Sequence, residues 1–141
     1  MLHAARAVAA TMLAEWQTST FVPIPPSKIK DDPRHDSRLI DTLRIVQPAI
    51  PDVQELVIQV TNTQSRAKDV SPVMRAHNWK LDLNSLRRIP RHFVVFDDLL
   101  TGASHFAAMK IVLARKFPNV TVSGLFLARR LRQSQTDDPS A

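Results

Sequence analysis

Short apolar runs alternate along this chain with segments of helical periodicity, and this alternation limits the folds that the chain can adopt. Four runs rich in branched and aromatic residues predict β-strands, at residues 20–24, 55–61, 92–96 and 120–127. Helical spacing or helix-start signals mark residues 36–47, 71–77 and 104–117. The order of these elements predicts an α/β fold, in which helices flank a Rossmann-like, mostly parallel sheet.

The length of 141 residues suits one domain, which we assign to residues 1–132, followed by a disordered polar tail at 133–141. Residues 2–16 are amphipathic and are interpreted as a helix of this domain rather than as a targeting peptide, because Glu15 offsets Arg6. No apolar run reaches the roughly 18 residues of a membrane span. The chain has no cysteine for a disulfide. We therefore expect a cytoplasmic protein with no membrane partner.

The net charge of +6 is confined to the second half of the chain. Residues 1–70 contain 8 Lys/Arg and 8 Asp/Glu, whereas residues 71–141 contain 11 and 5. Such an excess attracts anions, including phosphates and nucleic acid. The densest arginine clusters are Arg87, Arg88 and Arg91, and Arg129, Arg130 and Arg132. Because the chain has no tyrosine and few other aromatic residues for base stacking, a nucleic-acid-binding module is the weaker alternative.

The most informative pattern lies at residues 93–104. Asp97 and Asp98 directly follow the apolar run, and small or hydroxylated residues then lead into the predicted helix: Thr101, Gly102, Ala103 and Ser104. Backbone amides at a helix start bind phosphate, and two carboxylates can accept hydrogen bonds from ribose hydroxyls or assist the binding of Mg²⁺. The alternative is a solvated strand end whose acidic residues favour the helix dipole. Either interpretation expects both carboxylates to be solvent-accessible.

This segment resembles the phosphoribosyl pyrophosphate motif of the type I phosphoribosyltransferases, and in particular the ComF-like members of that family. Residues 22–28 (Val-Pro-Ile-Pro-Pro-Ser-Lys) are similar to the first strand and pyrophosphate loop of these proteins. Residues 125–129 are similar to their strand that ends in Ala-Arg. The resemblance extends over about residues 20–130, and residues 93–104 are its specific part.

The resemblance implies a role for each part of the motif. Asp97 and Asp98 would be the catalytic residues and hold the ribose, residues 101–104 would bind the 5′-phosphate, and Ser27 with Lys28 would bind the pyrophosphate. Phosphoribosyl pyrophosphate, or a related ribose 5-phosphate ligand, would bind with Mg²⁺ as cofactor, without a direct metal ligand assigned in the chain. The activity implied is transfer of the phosphoribosyl group to an unidentified acceptor. Arg66 and Lys68 lie where the family has a mobile flap, and a homodimer stays open.

Two departures from the family pattern support a second hypothesis. The first is an altered loop, in which a single hydroxylated residue, Thr101, precedes Gly102, and this glycine comes one position earlier than in the family motif. The chain is also shorter than typical members. Both features are compatible with a non-catalytic regulatory or binding protein of the same fold.

Overall fold

The computed structural model describes five ranges of the chain, residues 16–46, 52–62, 70–86, 88–100 and 104–129. Several sequence predictions concern residues outside these ranges. They include residues 2–15 of the helix predicted at 2–16, the predicted flap residues Arg66 and Lys68, residues 101–103 of the predicted phosphate-binding turn, and the predicted tail at 133–141. Arg87, Arg130 and Arg132 of the arginine clusters also lie outside these ranges.

Five strands, three helices and one short 3-10 helix make up the described structure. In chain order they are β1 (Ser19–Pro23), α1 (Arg38–Ile45), β2 (Val57–Gln59), α2 (Pro72–His77), β3 (Trp79–Leu81), the 3-10 helix (Leu83–Ser85), β4 (His92–Leu100), α3 (Ser104–Lys116) and β5 (Thr121–Arg129). The predicted start of α2 is confirmed, because the Ser71 hydroxyl accepts a hydrogen bond from the Met74 amide and Pro72 occupies the first turn. Within the described ranges, no helix is long and apolar enough to cross a membrane.

The main sheet consists of three parallel strands in the order β1, β4, β5. α3 connects β4 to β5, which makes this part a β-α-β unit. On its other edge, β1 carries a one-residue parallel bridge between Phe21 and Val53. The Phe21 amide donates to the Asp52 carbonyl and the Gln54 amide donates to the Phe21 carbonyl, both at 2.9 Å. The predicted α/β class with a parallel sheet is therefore confirmed.

Alternation of side chains along β4 divides the core into two layers. Phe93 and Val95 face one side of the sheet, Val94 and Phe96 face the other, and all four are at most 2% exposed. The larger layer adds residues of α2, β3 and α3, including Ala76, Trp79, Ala108, Met109, Val112 and Leu113. The smaller layer adds Phe21 and Leu43. Burial on both faces explains why β4 is a continuous apolar run in the sequence.

The prediction of a long strand at residues 55–61 in the parallel sheet is wrong. Only Val57–Gln59 forms a strand, β2, and it pairs antiparallel with β3 in a separate two-stranded sheet. The chain runs beside β1 at Val53 and then leaves it to pair with β3, which the sequence prediction missed. With three residues, β3 is too short to produce a recognisable alternation pattern.

Candidate functional site

A cavity of about 190 Å³ lies at the carboxyl edge of the parallel sheet. Pro25–Lys28, which follow β1, line it together with Asp97 of β4. Arg34, the first turn of α1 and His105 of α3 complete this part of the wall. Ligands of open α/β sheets bind at this edge, so the cavity is the candidate functional site.

Hydrogen bonds fix the course of the loop after β1. The Ile24 amide donates to the Phe96 carbonyl at 2.9 Å, which extends the pairing with β4. The His35 ring nitrogen Nδ1 lies 2.9 Å from the Lys28 carbonyl, and the Ile29 amide donates to Asn62 Oδ1 at 2.8 Å. The backbone is thus held by hydrogen bonds both before Ser27, through Ile24, and at and after Lys28, through His35 and Asn62.

Asp32 links the same loop to neighbouring side chains through hydrogen bonds. Its carboxylate accepts hydrogen bonds from Arg34 Nε at 3.1 Å, from Arg34 Nη2 at 3.0 Å and from Asn62 Nδ2 at 2.7 Å. These bonds, led by the one from the Arg34 side chain, hold the pKa of Asp32 far below its usual value. Lys30 forms an ion pair with Glu55 at 3.3 Å. The loop is therefore held by several hydrogen bonds and ion pairs of its own side chains.

Asp97 is buried, contrary to the expectation of a solvent-accessible carboxylate. β4 continues to Leu100, so Asp97 and Asp98 lie within the strand rather than after it. The Asp97 side chain is 9% exposed. Its Oδ1 accepts a hydrogen bond from the Asp98 backbone amide at 2.8 Å, and its Oδ2 lies 3.6 Å from His105 Nδ1. The Asp97 carboxyl group thus lies between the sheet and the first turn of α3.

Asp98 points toward the opposite face of the sheet, because successive side chains of a strand alternate. Its side chain is 44% exposed and lies 3.7 Å from Arg38 Nη2 of α1. Arg38 also binds Asp36 at 2.7 Å. Burial and the neighbouring Asp97 carboxyl raise the pKa of Asp98, and Arg38 opposes this rise. The acidic pair therefore supplies two different groups, one internal and one accessible.

The cations of the cavity do not come from the arginine clusters that the sequence made prominent. The cavity is lined by Lys28, Arg34, Arg38 and Arg75, and by the carboxylates of Asp36, Glu55 and Asp97. Of the four cations, Arg75 alone belongs to the basic half of the chain. Burial lowers its pKa. The sequence prediction found Lys28 and missed the three arginines, because their convergence depends on the packing of α1 and α2.

The remaining wall of the cavity was also missed. Trp79 of β3 is 4% exposed, and its indole Nε1 donates to Gln59 Oε1 of β2 at 2.6 Å. The Trp79 ring lies 6.2 Å from the His105 ring, measured between centroids. This wall consists of the small antiparallel sheet, which the sequence pattern placed elsewhere.

The predicted site residues are only partly brought together. Ser27, Lys28 and Asp97 line the cavity, whereas Asp98 does not contribute to its lining and reaches the site through Arg38. Ser104 is the first residue of α3. Thr101, Gly102 and Ala103 lie outside the described residues. Among the residues that the structure describes, no group of three His, Cys, Asp or Glu side chains is arranged to hold a metal ion.

A second cavity of about 250 Å³ adjoins the first. The two share six lining residues, and the second adds Lys30 and Lys80; the shared residues are Pro25, Pro26, Lys28, Glu55, Val57 and Gln59. Comparisons of the chain with protein-family models, curated proteins and solved structures found no significant match.

Proposed function

We propose that this protein has a phosphoribosyltransferase-type fold, binds phosphoribosyl pyrophosphate with Mg²⁺, and transfers the phosphoribosyl group to an acceptor. The observation that carries the proposal is the convergence of Pro25–Lys28 and Asp97 on one cavity. These two segments are far apart in the sequence, and they are the ones that resemble the pyrophosphate loop and the ribose-binding motif. The carboxyl edge of a parallel sheet favours such a site.

The cations of the cavity suit the pyrophosphate end of the ligand. Lys28 lies on a loop held by hydrogen bonds, and Arg34 and Arg38 line the same cavity. A preordered cationic loop loses little conformational entropy when an anion binds, which favours affinity. Ser27 adds a hydroxyl to this wall.

The sugar-phosphate end is proposed to extend from β4 toward the start of α3. The partly exposed carboxylate of Asp98 lies beside the cavity, next to Arg38, and is suited to accept hydrogen bonds from ribose hydroxyls that extend out of it, whereas the buried Asp97 faces the cavity itself. α3 has 13 residues and begins at Ser104, so its amino-terminal dipole favours a phosphate at this end. A cavity of about 190 Å³ is smaller than the roughly 300–1,000 Å³ of typical ligand sites. The cavity would therefore hold one part of the ligand, and the 5′-phosphate would lie beyond it.

Mg²⁺ is proposed to arrive with the ligand, held by phosphate and hydroxyl oxygens of the ligand itself. Mg²⁺ bound to substrate phosphates commonly keeps several waters and takes few protein ligands. Its charge would stabilise the negative charge that develops on the leaving pyrophosphate.

Thermal unfolding with and without phosphoribosyl pyrophosphate and Mg²⁺ tests the proposal. A ligand at 100 times its dissociation constant stabilises the folded state by about 2.7 kcal/mol. We predict that Lys28→Gln weakens binding at least tenfold, because hydrogen bonds to charged groups contribute about 1.5–3 kcal/mol and 1.4 kcal/mol is one decade in affinity.

The matched control is Lys116→Gln, which removes the same charge from the exposed end of α3, outside both cavities. It should leave binding unchanged. Ribose 5-phosphate and pyrophosphate alone should each stabilise the protein less than the whole ligand. Equal losses in the two variants would mean that the ligand responds to net charge, and absence of any stabilisation would contradict the proposal.

A further inference from the structure

We infer that His105 is the proton acceptor of this site, that Asp97 is its positioning residue, and that the acceptor substrate attacks through an N–H or O–H group. The inference rests on the proposed function and deepens it by naming the chemical class of the acceptor. The family resemblance assigns no role to His105. Its position in the structure suggests one.

His105 and Asp97 form a carboxylate–imidazole pair on the cavity wall. Asp97 Oδ2 lies 3.6 Å from His105 Nδ1, within the distance of an ion pair and longer than a hydrogen bond. The Asp97 side chain is 9% exposed and that of His105 is 38% exposed. The carboxylate is thus internal and the imidazole accessible from the cavity, which is the order that a base and its orienting group require. Contacts of this kind commonly shorten when a substrate binds.

The surroundings of the imidazole restrict its position. The Trp79 ring contacts it at a centroid distance of 6.2 Å, and Trp79 is itself fixed by the hydrogen bond to Gln59. Asp97 is fixed in turn, since its Oδ1 accepts the hydrogen bond from the Asp98 amide. The ring therefore contacts two groups that are held in place by other interactions, as preorganised proton transfer requires.

A hydrogen bond from His105 Nδ1 to Asp97, formed when the 3.6 Å contact shortens, would select the tautomer of His105. A carboxylate facing Nδ1 favours the form with the proton on Nδ1, which leaves the lone pair on Nε2. Other charged groups line the same cavity: Lys28, Arg34, Asp36, Arg38, Glu55 and Arg75. Among the described residues, Asp97 is the carboxylate that lies within ion-pair distance of the ring, at 3.6 Å.

The step that follows is a displacement at C1 of the ribose. The bond between C1 and the pyrophosphate oxygen breaks, and pyrophosphate leaves with the electron pair. The acceptor nitrogen or oxygen forms a bond to C1, and its proton passes to Nε2 of His105. Water is the simplest acceptor of this class, and it gives ribose 5-phosphate and pyrophosphate as products.

Release of pyrophosphate from phosphoribosyl pyrophosphate, with Mg²⁺ and water as acceptor, tests the inference in four proteins. They are the wild type, His105→Gln, His105→Ala and the control His77→Gln, which alters an exposed histidine at the end of α2 outside the cavity. General acid–base catalysis contributes about 10²- to 10⁴-fold, so His105→Gln should slow release at least tenfold. Its affinity for phosphoribosyl pyrophosphate, measured by calorimetry, should change less than threefold. Added imidazole should restore part of the rate of His105→Ala, which a purely structural role would not allow.

Each outcome separates the inference from the proposed function. Binding by the wild type without pyrophosphate release above the buffer background would overturn the inference and leave a binding protein of the same fold. Equal rates in the wild type and His105→Gln would also overturn it, while the proposed transfer reaction would stand. Absence of binding by the wild type would overturn both.

Discussion

Replacing Asp97 by alanine removes the acceptor that Asp97 Oδ1 provides for the Asp98 amide. That hydrogen bond is 2.8 Å long and partly buried, and the Asp97 side chain is 9% exposed. A donor left without a partner in such a place costs about 1–3 kcal/mol. We therefore predict that Asp97→Ala lowers the free energy of unfolding by about 1–3 kcal/mol, a large share of the ordinary total of about 5–15 kcal/mol.

Urea unfolding of Asp97→Ala and Asp97→Asn measures this effect. The asparagine side chain keeps an oxygen in the position of Oδ1, so this matched variant should retain most of the stability that alanine loses. Slopes of the unfolding free energy against urea that agree among the three proteins would show that the unfolded states are comparable. An alanine variant as stable as the asparagine variant would refute the reasoning, because Asp97 would then act as an exposed strand-end residue.

Two further predictions concern Asp98, which lies beside the cavity, and Trp79, which lines it. Because the folded-state pKa of Asp98 is raised above its ordinary value of 3.8, ionisation of Asp98 destabilises the folded protein, and stability falls as the pH rises from that value through the raised pKa. Asp98→Asn should therefore be more stable than the wild type near neutral pH and equal to it in strong acid. Thermal unfolding at several pH values measures this difference. A less stable variant at neutral pH would show that the contact with Arg38 outweighs the effects of burial and of Asp97. Trp79→Phe removes the 2.6 Å hydrogen bond from the indole to Gln59 in a buried setting, and should lower the free energy of unfolding by about 1–3 kcal/mol in urea. No measurable loss would mean that this wall of the cavity does not depend on the bond.

The elements that local sequence determines were predictable. β4 contains a continuous apolar run, and α2 has Ser71 and Pro72 at its start. Both signals are local, so each element can be predicted without knowledge of its distant neighbours. The extra length of β4 was not predictable, because Asp97 and Asp98 look like the end of a strand. Pairing with Phe126 and Ala128 of β5 carries the strand through these residues to Leu100.

The direction of β2 could not be read from the sequence. Its residues suit a parallel or an antiparallel strand equally, and the choice is made by β3, whose three residues give no pattern of their own. The hydrogen bond between Trp79 and Gln59 joins the two strands and is visible only after folding.

In the candidate site, too, residues of local motifs were predictable, and residues brought in by tertiary packing were not. Lys28 and the acidic pair were found because each belongs to a short motif. Arg34, Arg38 and Arg75 were missed, since their approach to the cavity depends on the loop anchored by Asp32 and on the positions of α1 and α2. Net charge pointed instead to clusters such as Arg88 and Arg91, which do not line this cavity.

Mapping of backbone amide chemical shifts by NMR, during titration with phosphoribosyl pyrophosphate and Mg²⁺, tests whether the loop after β1 and the end of β4 bind this ligand together. We predict that the largest saturable changes fall on Ser27, Lys28, Asp97 and His105, which line the cavity at the carboxyl edge of the sheet, and on residues 101–104, the predicted phosphate-binding turn. Changes confined to the arginines at 88 and 91, with residues 27, 28 and 97 unaffected, would contradict it.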